Sequence, residues 1–390
     1  MIKADEETEV TVIGGGIFGI STAYYLAKRG VDVALVEKNE LASGATGNNN
    51  GMCGAYSSPE IAEHWHEIYN NLSEEIKFNI EYKESPDIVI YTPENVKEMK
   101  KLGIWESYSS KMVTGDELKD KEPLLADDIV GGIESMGYFV NPFRLCYGYA
   151  QAAKGLGCKI HLHTAVEGIK ISNNRVKEVI TSRGSIKTDF VVNAAGAWSS
   201  RIGEMAGINI PIIPQKGEIL VTEQAPKPHP YHGRIANGFL YNTYPYNKEP
   251  EAVESKDPRI KLGISAYIHY YPFTNNYGMG GSHELVGYDS RVNPDTVSYI
   301  AKQCMRIVPS LKQINIIRMH AGVRPYCYID EKPILGRVDS IEGFIIATGG
   351  GGQGLGIGPM SGKLISELII ENKTSLPIDA YSYSRFKNIK

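Results

Sequence analysis

Three glycines spaced Gly14-x-Gly16-x-x-Gly19, followed by the carboxylate of Glu37, are the residues whose type and spacing speak first of chemistry. In this spacing the first glycine permits a tight turn, the second lets backbone approach a pyrophosphate, and the third lets a helix pack closely on a strand. The diphosphate would accept from unpaired N–H groups at the positive end of the helix. A carboxylate about 20 residues on accepts from a ribose hydroxyl. Glycines so spaced also occur in ordinary loops. Here Ala23, Leu26, Gly30, Val33 and Glu37 hold the rest of the fingerprint, and dinucleotide binding is the expectation. Glu37 disfavours a 2′-phosphate, so NADP is not expected, while FAD and NAD both stay open on these residues.

The elements that must present these groups form one βαβ unit. Val10, Val12 and Ile13 make an apolar strand that stops at Gly14-Gly15-Gly16. From Ile17 the period changes, and Ile20, Ala23, Tyr24 and Ala27 fall on one face of a helix that Gly30 ends. Val31, Val33 and Leu35 then alternate as a strand closing on Glu37. The stretch Glu40 to Tyr56 is small, polar and glycine-rich, which after such a unit suits backbone passing close to a ligand. Near the other end, Gly343 to Ala347 reads as a strand entering the glycine run Thr348 to Pro359, with a helix from Met360 to Asn372. Two strand–glycine–helix elements at opposite ends predict one discontinuous nucleotide domain, about 1–85, 145–217 and 318–380. Residues 86–144 and 218–317 are left to a substrate domain.

Between these ends, Pro59 to Tyr82 is predicted helical and Ile88 to Thr92 a strand. Asn141-Pro142 reads as an N-cap followed by proline at the first helical position. Strands are expected at Lys159 to Leu162, Val176 to Thr181 and Phe190 to Ala194, the last running into Ala195-Gly196-Ala197-Trp198. From Ile219 to Ile317 the texture is β, rich in tyrosine, with a charged insertion from Asn247 to Lys261. Asn293-Pro294 caps a helix that turns Val297, Ile300, Cys304 and Ile307 inward.

Composition narrows the classes. A chain of 390 residues suits about two domains, and 42% hydrophobic with 22% charged residues is that of an ordinary soluble globular protein. A net charge of −4 gives no reason to expect nucleic acid as a partner. Five scattered cysteines without a CxxC pair argue against a zinc site, an in-chain iron–sulfur cluster or a disulfide framework. Cys53, Cys146 and Cys304 are expected as packing residues. No metal ligands are proposed. The start is too polar for a signal peptide and no apolar run suits a transmembrane segment, so a cytoplasmic location is expected, with attachment to the inner face of the membrane left open.

Taken together, NNNGMCGAY (Asn48 to Tyr56), VVNAAGAWS (Val191 to Ser199), IPQKGEIL (Ile213 to Leu220), HAGVRPYCYIDEKPILG (His320 to Gly336) and ATGGGGQGLGIGPMSG (Ala347 to Gly362) resemble the D-amino-acid-oxidase-like FAD oxidoreductases. That family includes glycine oxidase, sarcosine oxidase and the flavin subunits of proline, opine and cyanide-forming dehydrogenases. The resemblance covers nearly the whole chain and implies FAD. It implies an α/β fold (α+β overall), with a Rossmann-like FAD domain of the glutathione-reductase type and a substrate domain on a mostly antiparallel sheet with helices.

Residue by residue, the resemblance implies that Gly14, Gly16 and Gly19 hold the pyrophosphate and Glu37 the adenosine ribose, with Ile17, Phe18 and Lys38 also binding the cofactor. Ser43 and Thr46 would bind the diphosphate and ribityl region, Gly51 and Met52 would pass near the flavin, and Val166 would meet the adenine. Gly196 and Trp198 would flank the cofactor. Gly351, Gln353, Gly354, Leu355 and Gly356 would turn backbone donors and a helix N-terminus to the flavin. Arg324, in the Gly-x-Arg-Pro element, stands where these oxidases grip the substrate carboxylate; the alternative is a structural arginine paired with Asp330 or Glu331. Tyr270 and Tyr271 would supply a hydroxyl or an aromatic wall, or are plain sheet residues. His320 replaces a usual tryptophan, and Gly350 a frequent histidine. The lysine that activates oxygen in sarcosine oxidases has no counterpart around Gly278-Met279-Gly280. The cysteine that carries covalent flavin there would align near Val323, so noncovalent FAD is expected and oxygen as acceptor is in doubt.

The activity so implied is oxidation of the C–N bond of a small amino acid or N-alkyl amino acid, by hydride transfer to flavin N5, giving an imine that hydrolyses. Positioning and cofactor electronics suffice, without an acid–base dyad. Two alternatives accompany it: the flavin subunit of a heteromeric dehydrogenase that passes electrons to an iron–sulfur partner, and a flavin-binding assembly subunit without turnover.

Overall fold

A computed structural model describes residues 6–54, 59–101, 103, 105–225, 231–237 and 266–386. It forms two compact units. One is Met1–Tyr82 with Val140–Gln215 and Val323–Lys390, and the other is Lys83–Phe139 with Lys216–Gly322. The Asn247 to Lys261 insertion lies outside the described residues.

In the first unit the strand Glu6–Ile13 lies between two parallel neighbours, Gly184–Asn193 on one side and Val33–Val36 on the other. Phe344–Thr348 and Lys159–His161 extend the parallel sheet outward, and Ile334–Arg337 closes one edge in the antiparallel sense. Strands at the centre of such a sheet are covered on both faces, which is why Val33 to Val36 is a continuous apolar run and Val10 to Ile13 is apolar but for Thr11, all of them buried. Val166–Ser172 and Arg175–Thr181 add an antiparallel meander beside Gly184–Asn193.

The helix Ile17–Lys28 buries every residue but Lys28, and Gly30 (φ +82°) turns the chain out of it. Its neighbour is the helix Gly354–Glu371. This second helix starts six residues earlier than the sequence pattern predicts. Its glycines serve packing and not a loop: a Cβ at Gly356 would collide with backbone of Gly54, one at Gly358 would come 2.8 Å from Ile17, and one at Gly362 would press on the Ser21–Thr22 backbone. The predicted helix Pro59 to Tyr82 is likewise different. It is two helices, Pro59–Ala62 and Trp65–Glu75, and the second stops short of Tyr82 because Lys77 and Glu81 take left-handed backbone (φ +51° and +56°) that a helix does not accommodate. The Asn141 cap is formed as its sequence suggests, with its side chain accepting from Phe143 and Arg144 amides ahead of the helix Pro142–Gly155.

The second unit is built on a sheet ordered Ile316–Cys327, Ile212–Gln224, Asn276–Gly280, Tyr267–Tyr270, Arg234–Asn237, Asp87–Tyr91 and Gly131–Ser135. Ile212–Gln224 with Asn276–Gly280, Asn276–Gly280 with Tyr267–Tyr270, Tyr267–Tyr270 with Arg234–Asn237, and Asp87–Tyr91 with Gly131–Ser135 pair antiparallel, whereas Arg234–Asn237 runs parallel to Asp87–Tyr91. The helix Pro294–Ile307, capped by the Asn293 side chain on the Asp295 amide, buries Val297, Ile300, Cys304 and Ile307 in one core with Leu220, Ile268 and Met279. No described helix is long and apolar enough to cross a membrane.

Candidate functional site

The first glycine turn is fixed by close approach. Gly14 takes φ +113°, and a side chain there would collide with the Ala194 carbonyl. A Cβ at Gly19 would collide with the Gly14 carbonyl oxygen. Gly16 is the N-cap of its helix and offers no side-chain acceptor, and the first turn holds no acid. Apart from the Ile17 amide, the positive helix end is therefore left for an external anion. Thr46 Oγ accepts from the Ile17 amide at 3.2 Å, fixing the Glu40–Asn50 loop over this turn. Ser43 lies in the same loop, its amide on the Glu40 carbonyl.

Glu37 is oriented by backbone: Oε2 accepts from the Gly15 amide at 2.7 Å and Oε1 from the Asn39 amide at 2.8 Å. Each carboxylate oxygen keeps a further lone pair for a hydroxyl. The next residue, Lys38, lays its ammonium 3.4 Å from the Trp198 ring centre. Burial lowers the pKa of this lysine, and Arg201 adds to that effect while Glu37 opposes it. Gly51 (φ +80°) has its amide on Asn49 Oδ1 at 2.7 Å and its carbonyl on the Val140 amide at 2.8 Å, with Met52 half-buried beside it. Val166 opens its strand opposite Thr181.

A second glycine cluster comes to the same place. Gly350 abuts the Phe18 ring, where a Cβ would lie 2.9 Å from it, and Thr348 Oγ donates to the Gly196 carbonyl at 3.2 Å. Ser199 donates to Thr348 Oγ at 2.9 Å, and Asn193 donates to the Ser199 carbonyl at 2.9 Å. Sequence reading passed over this Asn193–Ser199–Thr348 chain, since isolated hydroxyl residues carry no spacing signal. Gly196 (φ +57°) and Gly351 (φ +50°) have left-handed backbone, and a Cβ at either, or at Gly352, would meet nothing within 4 Å. The helix that begins at Gly354 has Gln353 as N-cap with no side-chain cap and no acid in its first turn. The Leu355 carbonyl accepts from the buried Tyr69 hydroxyl at 2.6 Å.

Arg324 is half-buried in the strand Ile316–Cys327, whose last residues, from Val323 on, belong to the first unit. The following carbonyl, that of Pro325, accepts from the Gly351 amide at 3.1 Å. Of the two acids that follow Arg324, Asp330 pairs with Arg385 at 2.8 Å, and Glu331 accepts from the Tyr326 hydroxyl at 2.8 Å.

In the second unit Tyr270 and Tyr271 point to opposite faces. Tyr270 packs on the helix-side core and donates to Asn275 at 2.7 Å. Tyr271 is on the other face, its ring 5.5 Å from that of His269 and its hydroxyl over Gly278, where any side chain would collide with it. His269 is fully buried between Arg234 and Gly278 in the strand register, against Phe139. Neither of its ring nitrogens has a partner among the described residues. Burial, with Arg234 nearby, lowers its pKa to about 3, so it is neutral. Arg234 reaches Asp87 at 3.4 Å, completing a buried row of carboxylate, guanidinium and imidazole. The alternation Tyr267, His269, Tyr271 is the sequence signal that puts His269 on one face with Tyr271.

The family model described as FAD dependent oxidoreductase (DAO) matches residues 9–368. The chain belongs to that family. It is 28% identical to the hydrogen cyanide synthase subunit HcnC of Pseudomonas protegens, over 95% of this chain and 94% of that one. It is 27% identical to the glycine oxidase of Bacillus subtilis, over 94% of each. Among solved structures, L-proline dehydrogenase from P. horikoshii matches with a TM-score of 0.79 at 29% identity, over 98% of both chains.

The cofactor is FAD, and the residues of the first unit fit it. Two uncapped helix starts, free of acids, suit a pyrophosphate and an electron-rich ring edge. The open sides of Gly196, Gly351 and Gly352 leave room where side chains would stand. Glu37 presents lone pairs for a ribose.

Proposed function

We propose that this oxidoreductase oxidises the C–N bond of a small amino acid or N-alkyl amino acid, with Arg324 holding the substrate carboxylate. The observation that carries the reading is the tie between Pro325 and Gly351, which links the arginine's strand to the glycine loop assigned to the flavin edge. A guanidinium suits the task because it stays charged and grips a carboxylate with two parallel hydrogen bonds. The names of the relatives, glycine oxidase and L-proline dehydrogenase, support a small amino acid.

FAD, when bound, supplies the two-electron acceptor for the hydrogen on the carbon beside nitrogen. The chain's own part is placement. Arg324 fixes the carboxylate, and the uncapped helix at Gly354 offers partial positive charge where negative charge develops. The imine product hydrolyses in water. We assign the first unit to FAD and the second to substrate.

A second reading is favoured by the word subunit in the name of the cyanide synthase relative. In it the chain is the flavin subunit of a heteromeric dehydrogenase that passes electrons to an iron–sulfur partner. Co-purification of a cysteine-rich chain from the native host, with faster reoxidation by a dye than by oxygen, would favour it. The primary test is an anaerobic screen of amino acids and N-alkyl amino acids, read as loss of flavin absorbance. Bleaching by an amine that lacks a carboxylate, with none by amino acids, would sink the main proposal.

A further inference from the structure

The end of the chain reaches back to the strand that carries Arg324. Arg385 is largely buried and spends its guanidinium on one turn and on its own backbone. Nε donates to Asp330 Oδ2 at 2.8 Å and Nη2 to Oδ1 at 3.2 Å, a two-point contact. Nη2 also reaches the Lys332 carbonyl at 3.2 Å, and Nη1 reaches the carbonyls of Tyr381 at 2.6 Å and Ser382 at 3.1 Å. The ring of Phe386, itself buried, lies 4.1 Å beneath.

Asp330 in turn organises the turn that ends the strand. Its Oδ1 accepts from the Lys332 amide at 3.2 Å and from the Cys327 thiol at 3.3 Å, and the Glu331 amide closes on the Cys327 carbonyl at 3.0 Å. Glu331 adopts φ +60°, a left-handed conformation that is unfavourable for a non-glycine residue and persists only where neighbours hold it. Burial would raise the Asp330 pKa; Arg385 outweighs that and holds the carboxyl below its usual range. The C-terminal segment is itself anchored, with Tyr381 fully buried and bonded to Glu60, and Tyr383 on the Asn209 carbonyl at 2.8 Å.

We propose that Arg385 is a positioning residue for substrate binding: through Asp330 and the Cys327–Lys332 turn it fixes the strand end that presents Arg324 and seats Pro325 on Gly351. The proposal rests on the reading of Arg324 as the carboxylate anchor. A planar fork is needed because a lysine keeps the charge but cannot make both contacts to Asp330.

The test uses the FAD-loaded enzyme, with acetate as a probe of the carboxylate site, read through the flavin spectrum, alongside steady-state kinetics. Arg385→Lys and Asp330→Asn are expected to weaken acetate binding and raise KM about tenfold, with kcat and flavin content near wild type. In Arg324→Ala/Arg385→Lys the second change should add nothing, since there is no fork left to position. Restored acetate binding in the swapped pair Arg385→Asp/Asp330→Arg would be further support. If Arg385→Lys and Asp330→Asn keep wild-type KM and acetate affinity while Arg324→Ala loses both, the positioning role falls alone. An additive loss in the double variant overturns it as well, because the tail would then act only on general stability. If Arg324→Ala itself leaves acetate binding intact, the anchor reading falls, and the positioning role with it.

Discussion

The amide of Gly351 donates to the carbonyl of Pro325 across 3.1 Å, joining the glycine loop before the C-terminal helix to the residue that follows Arg324. This bond ties together two motifs that read separately in the sequence.

Arg324 is the residue whose loss should be most specific. Removing one partner of a hydrogen-bonded charge pair costs on the order of 2–5 kcal/mol, or about thirtyfold to several thousandfold in affinity. Arg324→Ala should raise KM by that factor and leave flavin content unchanged. Arg324→Lys should recover only part, having lost the planar fork. Flavin occupancy and kcat/KM, measured with whichever amino acid bleaches the wild type, decide it. Near-normal kcat/KM in Arg324→Ala would mean that the carboxylate is held elsewhere.

Flavin should come away freely. All five cysteines are buried, and burial, the leading cause in each, pushes their thiols up, Cys158 to about 12 and Cys327 to about 11. Thiols held in that state are poor nucleophiles toward a flavin ring. Acid precipitation should leave the protein pellet colourless and the supernatant yellow. A pellet that keeps its colour would establish a covalent link.

The Tyr271 hydroxyl is accommodated only because residue 278 has no side chain. Gly278→Ala should displace that hydroxyl while the strand pairing of His269 with residue 278 persists. If the hydroxyl takes part in substrate binding, Gly278→Ala and Tyr271→Phe will lower kcat/KM by similar factors, about tenfold each, in line with one lost hydrogen bond. Wild-type kinetics in Tyr271→Phe would return Tyr271 to an ordinary sheet residue.

His269 gives the protein an acid liability with a definite sign. Its pKa falls from 6.5 to about 3 on folding, first through burial and then through Arg234. Between those limits the unfolded chain binds a proton that the folded chain does not, so stability falls as pH drops from 6.5 toward 3. The slope from this one group is about 1.4 kcal/mol per pH unit. His320, lowered to about 4 by burial and Arg318, acts in the same direction. Urea unfolding of wild type and His269→Gln from pH 7 to pH 4.5 should show the shallower slope in the variant. Equal slopes would mean that His269 takes up its proton in the folded state.

The sequence by itself determined the first βαβ unit, the caps at Asn141 and Asn293, and the family. Each rests on local physics: glycine spacing, a change of period, a side chain reaching its own helix start. The same locality explains what it left out. The run from Gly354 to Pro359 looks like loop because glycine is a poor helix former, yet it is helical: Ile17, Ser21 and the Gly54 backbone approach too closely for any side chain. Asp330 and Glu331 stand near Arg324 in sequence. Tertiary structure gives Asp330 to Arg385, 55 positions away, and Glu331 to Tyr326. His269 shows no motif; its neutral, unsatisfied ring follows from burial beside Arg234 and Phe139, contacts made by separate strands and segments. Short-range chemistry is written in the order of the residues, whereas the placement of charge in a low-dielectric interior depends on which distant segments exclude the water.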